Sequence, residues 1–206
     1  MEIEFLRNKQ REKVANLIQG FSIRYVTDLK NFATTTEHYG LISPQTAKQL
    51  CRLIGKWHGC RPSPVSKNLL PLLTDLDADL KAIATIDLRS ILRASSNEME
   101  AISQIWSSLM NQICDNKPQS EVAASKAMLI LTNGRLGPAL DSNARKSLRL
   151  PRIQSSGDYL AFLLAISEDV AAFEKANSPI LLEDLVPKEW CPVLVGRAYD
   201  MAIGPR

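Results

Sequence analysis

The feature of this sequence best suited to chemistry is a carboxylate placed just ahead of a helix and surrounded by cations. Asp141-Ser142-Asn143 precedes Ala144-Arg145-Lys146-Ser147-Leu148, and Asp, Ser and Asn are the residues that begin helices. An Asp at that position is kept ionised by backbone amide donors and by the positive end of the helix dipole. Such a fixed carboxylate stabilises a developing sugar cation or activates a water molecule, which is what cleavage of a glycosidic bond demands. Asn143, two residues on, and the helix N-terminus are candidates to orient it. Lys126 is the single lysine of the preceding apolar segment, and an amine there is a candidate nucleophile. The plain alternative for Asp141 is a helix cap with no chemical role.

Cations cluster around this carboxylate. Between positions 135 and 152 stand Arg135, Arg145, Lys146, Arg149 and Arg152 against one acid, Asp141. Arg145 and Arg149 are four residues apart and are expected on one helix face. Basic residues around a reactive centre suit a phosphate backbone, although a solvated helix end explains the same pattern. A second group lies in the loop Lys56-Trp57-His58-Gly59-Cys60-Arg61-Pro62. Trp57 is a candidate to stack on an extruded base and His58 to contact one. The alternative is that Trp57 caps the core and His58 is solvated.

The elements that must position these residues are a helix, a tight loop and a second helix between Glu121 and Leu150. Ala127-Met128-Leu129-Ile130-Leu131 is apolar on every face and belongs in the middle of a core. Thr132-Asn133-Gly134 closes that helix, since Asn and Gly adopt the left-handed conformation. Arg135-Leu136-Gly137-Pro138 then crosses to Asp141.

The run from Ala124 to Leu148 resembles the second half of the core motif of helix-hairpin-helix DNA glycosylases, the adenine-glycosylase and endonuclease III branch in particular. Leu140-Asp141-Ser142-Asn143-Ala144-Arg145-Lys146-Ser147-Leu148 is similar to that family's Leu-Asp-Gly-Asn-Val-x-Arg-x-Leu, and Gly134 and Pro138 fall where the adenine glycosylases carry Gly and Pro. The resemblance puts Asp141 at the family's catalytic Asp. It implies a DNA N-glycosylase that flips a nucleotide and cleaves the base-sugar bond, with DNA as partner and no cofactor. Arg135, Arg145, Lys146, Arg149 and, in the hairpin, Ser120 are then the expected phosphate contacts. The departure lies just upstream. The family's hairpin is Leu-Pro-Gly-x-Gly, whereas this chain has Lys117-Pro118-Gln119-Ser120-Glu121, without glycine and with an acid where a phosphate would sit. That divergence points to an unusual substrate, a damaged, modified or bulky base such as phage DNA carries, or to a helical DNA-binding protein that has lost the chemistry. An all-α interaction protein is the third reading.

The rest of the chain reads as helices. Residues 3–19 carry one buried stripe, Phe21 to Phe32 continue it, Ala33-Thr34-Thr35-Thr36 loosens it, and Ser43-Pro44 opens the next helix. Residues 65–114 read as several helices, the last capped at Ser95-Ser96-Asn97. Asp75-Leu76-Asp77-Ala78-Asp79 is an acidic helix start, lacking the Gly and Glu of a calcium loop. Ser155-Ser156-Gly157-Asp158 starts a strongly amphipathic helix, and Pro187-Lys188-Glu189-Trp190 is expected to open a final one reaching about Ala202. The fold class expected is all-α, of helix-hairpin-helix glycosylase type as the resemblance implies: a single unit over 1–206, divisible into helical lobes at about 1–115 and 116–206 around a central cleft.

Composition bounds the rest. The chain has 206 residues, 45% of them hydrophobic, with 25 Lys and Arg against 22 Asp and Glu. That is enough apolar material for a sizeable core, and a net charge of +3 permits nucleic-acid binding without arguing for it. The four cysteines form no CxxC pair, and with two histidines no zinc or cluster site is expected. Free thiols, the absence of a signal-peptide core and of any bilayer-length apolar run lead to the expectation of a cytoplasmic monomer, off the membrane.

Overall fold

The computed structural model describes residues 1–57, 66–114 and 120–204. Among these the protein is all-α. In chain order the helices are α1 (Arg11–Gln19), α2 (Ile23–Tyr39), α3 (Pro44–Lys56), α4 (Ser66–Asp75), α5 (Asp77–Ala82), α6 (Ser96–Gln112), α7 (Glu121–Leu131), α8 (Ser142–Leu148), α9 (Ser156–Ala176) and α10 (Val195–Ile203). Short 3-10 turns occupy Ile91–Arg93, Leu182–Leu185 and Lys188–Trp190. No described helix is long and apolar enough to cross a membrane, and no described group of His, Cys, Asp and Glu is arranged to hold a metal ion.

Helix starts follow their local chemistry. Ser43, Ser95, Ser120, Asp141 and Ser155 each accept a backbone N–H of the first turn through the side chain. Ser95 with Glu98 and Ser155 with Asp158 complete reciprocal capping boxes. α6 is the central column: α4, α5, α7 and α9 all pack on it. Trp106 of α6 and Tyr159 of α9 stack at 3.9 Å between ring centroids and 8° between planes, an offset-type aromatic contact that adds to their burial. The buried apolar side chains form one cluster running from Ile3 to Ile203, so the core is continuous across the division expected near residue 115.

The structure corrects four local readings. Helix α2 does not loosen at its threonines but runs on to Tyr39. The hydroxyls of Thr34, Thr35 and Thr36 donate to the carbonyls of Lys30, Asn31 and Phe32, four residues back, which keeps them inside the helix. Residues 3–10 are not helical. They form a strap whose Leu6 and Arg7 amides donate to the buried Asp169 carboxylate of α9, at 2.8 and 2.9 Å. The segment from Pro187 is a single 3-10 turn, and the final helix begins only at Val195, beyond Pro192. Finally, Arg149 does not share a helix face with Arg145. It is the left-handed residue that ends α8, at φ 53°, with Leu150 N–H bonding back to the Arg145 carbonyl.

Candidate functional site

The loop after α7 behaves as its residues dictate. Asn133 and Gly134 both take positive φ, 50° and 78°, which turns the chain sharply off the end of α7. The turn is locked onto α10. Arg197 N–H donates to the Gly134 carbonyl at 2.8 Å, and Gly196 lies so close that an added Cβ would stand 2.6 Å from the Arg135 carbonyl oxygen and 2.8 Å from that of Gly134. Ser125 of α7 accepts the Leu140 N–H at 2.8 Å, and the Asp200 carboxylate accepts that of Ala139 at 3.0 Å. The approach to Asp141 is therefore held between α7 and α10. Replacing Gly196 by Ala forces backbone apart on both sides and is expected to lower stability by about 1–3 kcal/mol, measured by urea unfolding. Gly157→Ala is the control, since its Cβ would meet only the Ser155 hydroxyl, at 3.8 Å.

Asp141 is the N-cap of α8. Its Oδ1 accepts from Asn143 N at 2.9 Å and Ala144 N at 2.8 Å, whereas Oδ2 has no hydrogen-bond partner among the described residues. The half-buried carboxylate lines a cavity of about 450 Å³, together with Lys126, Asn143, Arg145, Trp57, Phe21, Tyr25, Arg197 and Asp200. This volume lies in the range of small-molecule sites. Five residues singled out from sequence thus meet at one place: Asp141, Asn143 and Arg145 from α8, Lys126 from α7, and Trp57 from the end of α3.

Each is held by identifiable partners. Lys126 is buried, and its ammonium donates to the Trp57 backbone carbonyl, tying α7 to the end of α3. The Trp57 indole N–H donates to Asp28 Oδ2 at 3.1 Å, and Lys56 pairs with the other oxygen at 2.6 Å. Trp57 is therefore both a core residue, 4% exposed, and a wall of the cavity. The Tyr25 ring meets its edge at 5.7 Å. Arg145 pairs with Glu121 at 2.8 Å, and the other Glu121 oxygen accepts the Ile153 N–H at 2.7 Å. The acid that breaks the hairpin pattern is accordingly a clamp for α8 and the segment beyond it.

Other expected site residues stand elsewhere. Ser120 is buried, and its hydroxyl accepts the Ala123 N–H as the cap of α7. Arg135 is half-buried against the Ile86 carbonyl and lies outside the cavity, with burial pulling its pKa down and Asp87 opposing. Arg149 and Lys146 are exposed. His58 and Lys117-Pro118-Gln119 lie outside the described residues.

Sequence reasoning missed one whole wall. Phe21 and Tyr25 read only as members of an apolar stripe. Arg197 and Asp200 were passed over inside the last helix, although a charged pair three residues apart in Val195–Ile203, every residue of which is buried, is a strong signal that charges are held for a reason. The Arg197 Nη1 donates to Asp200 Oδ2. Burial pulls the Arg197 pKa down, against the opposing field of Asp200. Burial also raises that of Asp200, countered by Arg197 and the Ala139 amide and reinforced by the nearby Asp141 charge.

A second groove, about 410 Å³, adjoins the first through Asn143 and carries Lys9, Lys13 and Lys146. Compared with known protein families, curated proteins and solved structures, the chain shows no significant match.

Proposed function

We propose that the protein is a DNA N-glycosylase of helix-hairpin-helix type, which flips a nucleotide into the cavity at Asp141 and cleaves its base-sugar bond. The observation that carries this reading is the convergence of Asp141, Lys126, Asn143 and Trp57, from three separate helix regions, on one concave site. An aromatic wall formed by Trp57, Phe21 and Tyr25 suits an unstacked base. The Asp141 Oδ2, half-buried and unengaged by the fold, is the atom that stabilises the sugar cation or positions water. Asn143 and the Ala144 amide orient the carboxylate through Oδ1.

The lysine groove next to Asn143 is the natural path for the phosphate backbone. Replacing Lys13 and Lys146, both exposed, by Gln is expected to weaken duplex binding at low salt. The slope of log affinity against log salt should become shallower by about two, roughly one unit per lost phosphate contact, as read by fluorescence anisotropy.

The test of the whole reading is base release. Wild-type protein is incubated with DNA from several sources, some with modified bases. Abasic sites are counted by alkali cleavage and the freed base is identified by mass spectrometry. Abasic sites made by wild type and not by Asp141→Asn establish the activity. Duplex binding without base loss, unchanged by that substitution, selects the runner-up, a binding module without chemistry. One observation favours the runner-up: Glu121 engages Arg145, a cation that lines the cavity.

A further inference from the structure

Arg197 is the least explained group in the protein. Its side chain is 2% exposed and lines the cavity. Nη1 is engaged by Asp200, but Nε and Nη2 have no hydrogen-bond partner among the described residues. Those two nitrogens share one edge of the planar guanidinium and point two parallel N–H donors the same way, the fork that pairs with two acceptors at once. The guanidinium carbon lies 4.9 Å from the centre of the Phe21 ring and 5.1 Å from that of Trp57, so the aromatic rings fix its place by cation–π contact. Buried N–H groups left without acceptors are costly, and an unmet donor edge on a side chain that lines the cavity is suited to an incoming ligand.

Which ligand follows from the neighbours. A phosphate or carboxylate would match the fork, but it would share the cavity with two carboxylates, Asp141 and Asp200, and no described residue hydrogen-bonds Asp141 Oδ2. It would also leave the flat rings of Phe21, Tyr25 and Trp57 without a face to pack on. A neutral planar ring with two adjacent acceptors satisfies both. Among nucleobases, a purine with a 6-oxo group offers that pair, O6 and N7, to an arginine fork. Adenine offers an acceptor and a donor, which mismatches it. We infer that the Nε–Nη2 edge of Arg197 is the specificity determinant of the cavity and selects 6-oxopurines, guanine or its derivatives. The inference rests on the nucleotide-flipping reading for its choice of a base over other planar acceptors.

The test is done on the intact wild-type protein by isothermal titration with free nucleosides, so it does not depend on catalysis. Guanosine and inosine, which keep both acceptors, are expected to bind about 10- to 100-fold more tightly than adenosine or 7-deazaguanosine, the latter lacking only the N7 acceptor. Benzoate, a planar carboxylate, is the anionic arm. Equal affinity for guanosine and 7-deazaguanosine, benzoate binding as tight as guanosine, or no binding of either oxopurine at millimolar concentration would each overturn the assignment. Arg197→Lys keeps a cation beside Asp200 but loses the fork, and is expected to erase the preference for guanosine over adenosine. Because Arg197 is buried, the nucleoside series stands without that variant. Oxopurine selectivity with no base release from any DNA would keep the inference and remove the glycosylase. Release of a pyrimidine or adenine base would do the reverse.

Discussion

Asp141→Asn is expected to retain its fold and lose base release by at least about 100-fold, the usual range for removing a positioned acid or base. The separation of the two effects comes from the geometry. Oδ1 alone accepts the Asn143 and Ala144 amides, and an asparagine carbonyl accepts the same two, since Asn and Asp are equivalent as N-caps. The charge, and the Oδ2 acceptor that no described residue engages, are lost. Asp141→Ala separates the roles further. It removes the cap as well, with an expected cost of about 1 kcal/mol, so both variants are inactive but only the alanine melts earlier. The measurements are single-turnover alkali cleavage and urea unfolding. Full base release by the asparagine variant would return Asp141 to the role of a cap.

The largest effect on stability is expected at Asp169, which does not line the cavity. This residue is 0% exposed and has three donors: Leu6 N at 2.8 Å, Arg7 N at 2.9 Å and the Tyr199 hydroxyl at 2.9 Å. Asp169→Ala leaves all three without an acceptor, and the expected loss is about 3–5 kcal/mol, the range for removing one member of a buried charged network. The loss should also be local. The Leu6 and Arg7 amides should exchange with deuterium ahead of the core, because the strap they belong to has lost its anchor. Tyr199 belongs to α10, so the same substitution is expected to loosen the helix that carries Arg197.

How far these features could be read from sequence depended on the range of the interaction behind each. The caps at Ser43, Ser95, Asp141 and Ser155 act within one helical turn, and all were legible. So was the closure at Asn133-Gly134, because the left-handed turn is a property of those two residues. The threonine run of α2 was misread because its hydroxyls have two competing local options, and the helix packed against α3 settles which one is used. The strap at residues 3–10 was misread because its partner, Asp169, is more than 160 positions away. No local pattern announces an acceptor that distant. For the candidate site, Asp141, Asn143 and Lys126 were legible because they sit in one continuous motif. Their meeting with Trp57, and the whole contribution of Phe21, Tyr25 and α10, came only from packing. The missed clue was electrostatic: Arg197 and Asp200 stand in a helix otherwise fit for a core, and burial of that pair needed an explanation.

The lock between the Gly134 turn and α10 divides the cavity into two parts with different tolerance of substitution. On one side, Gly134, Gly137 and Gly196 leave no room for a side chain, and the backbone bonds joining that turn to α10 carry Asp141 and Arg197 with them. A change at any of these glycines must be answered at its neighbour, so this wall is inherited as a unit. On the other side, Phe21, Tyr25 and Trp57 enter as side chains from the link before α2, from α2 and from the end of α3. Phe21 and Trp57 are buried and Tyr25 is half-buried, so a larger ring at either of the first two must displace its packing neighbours. A ligand of different shape is therefore met most easily at Tyr25, while the backbone-locked wall holds its place.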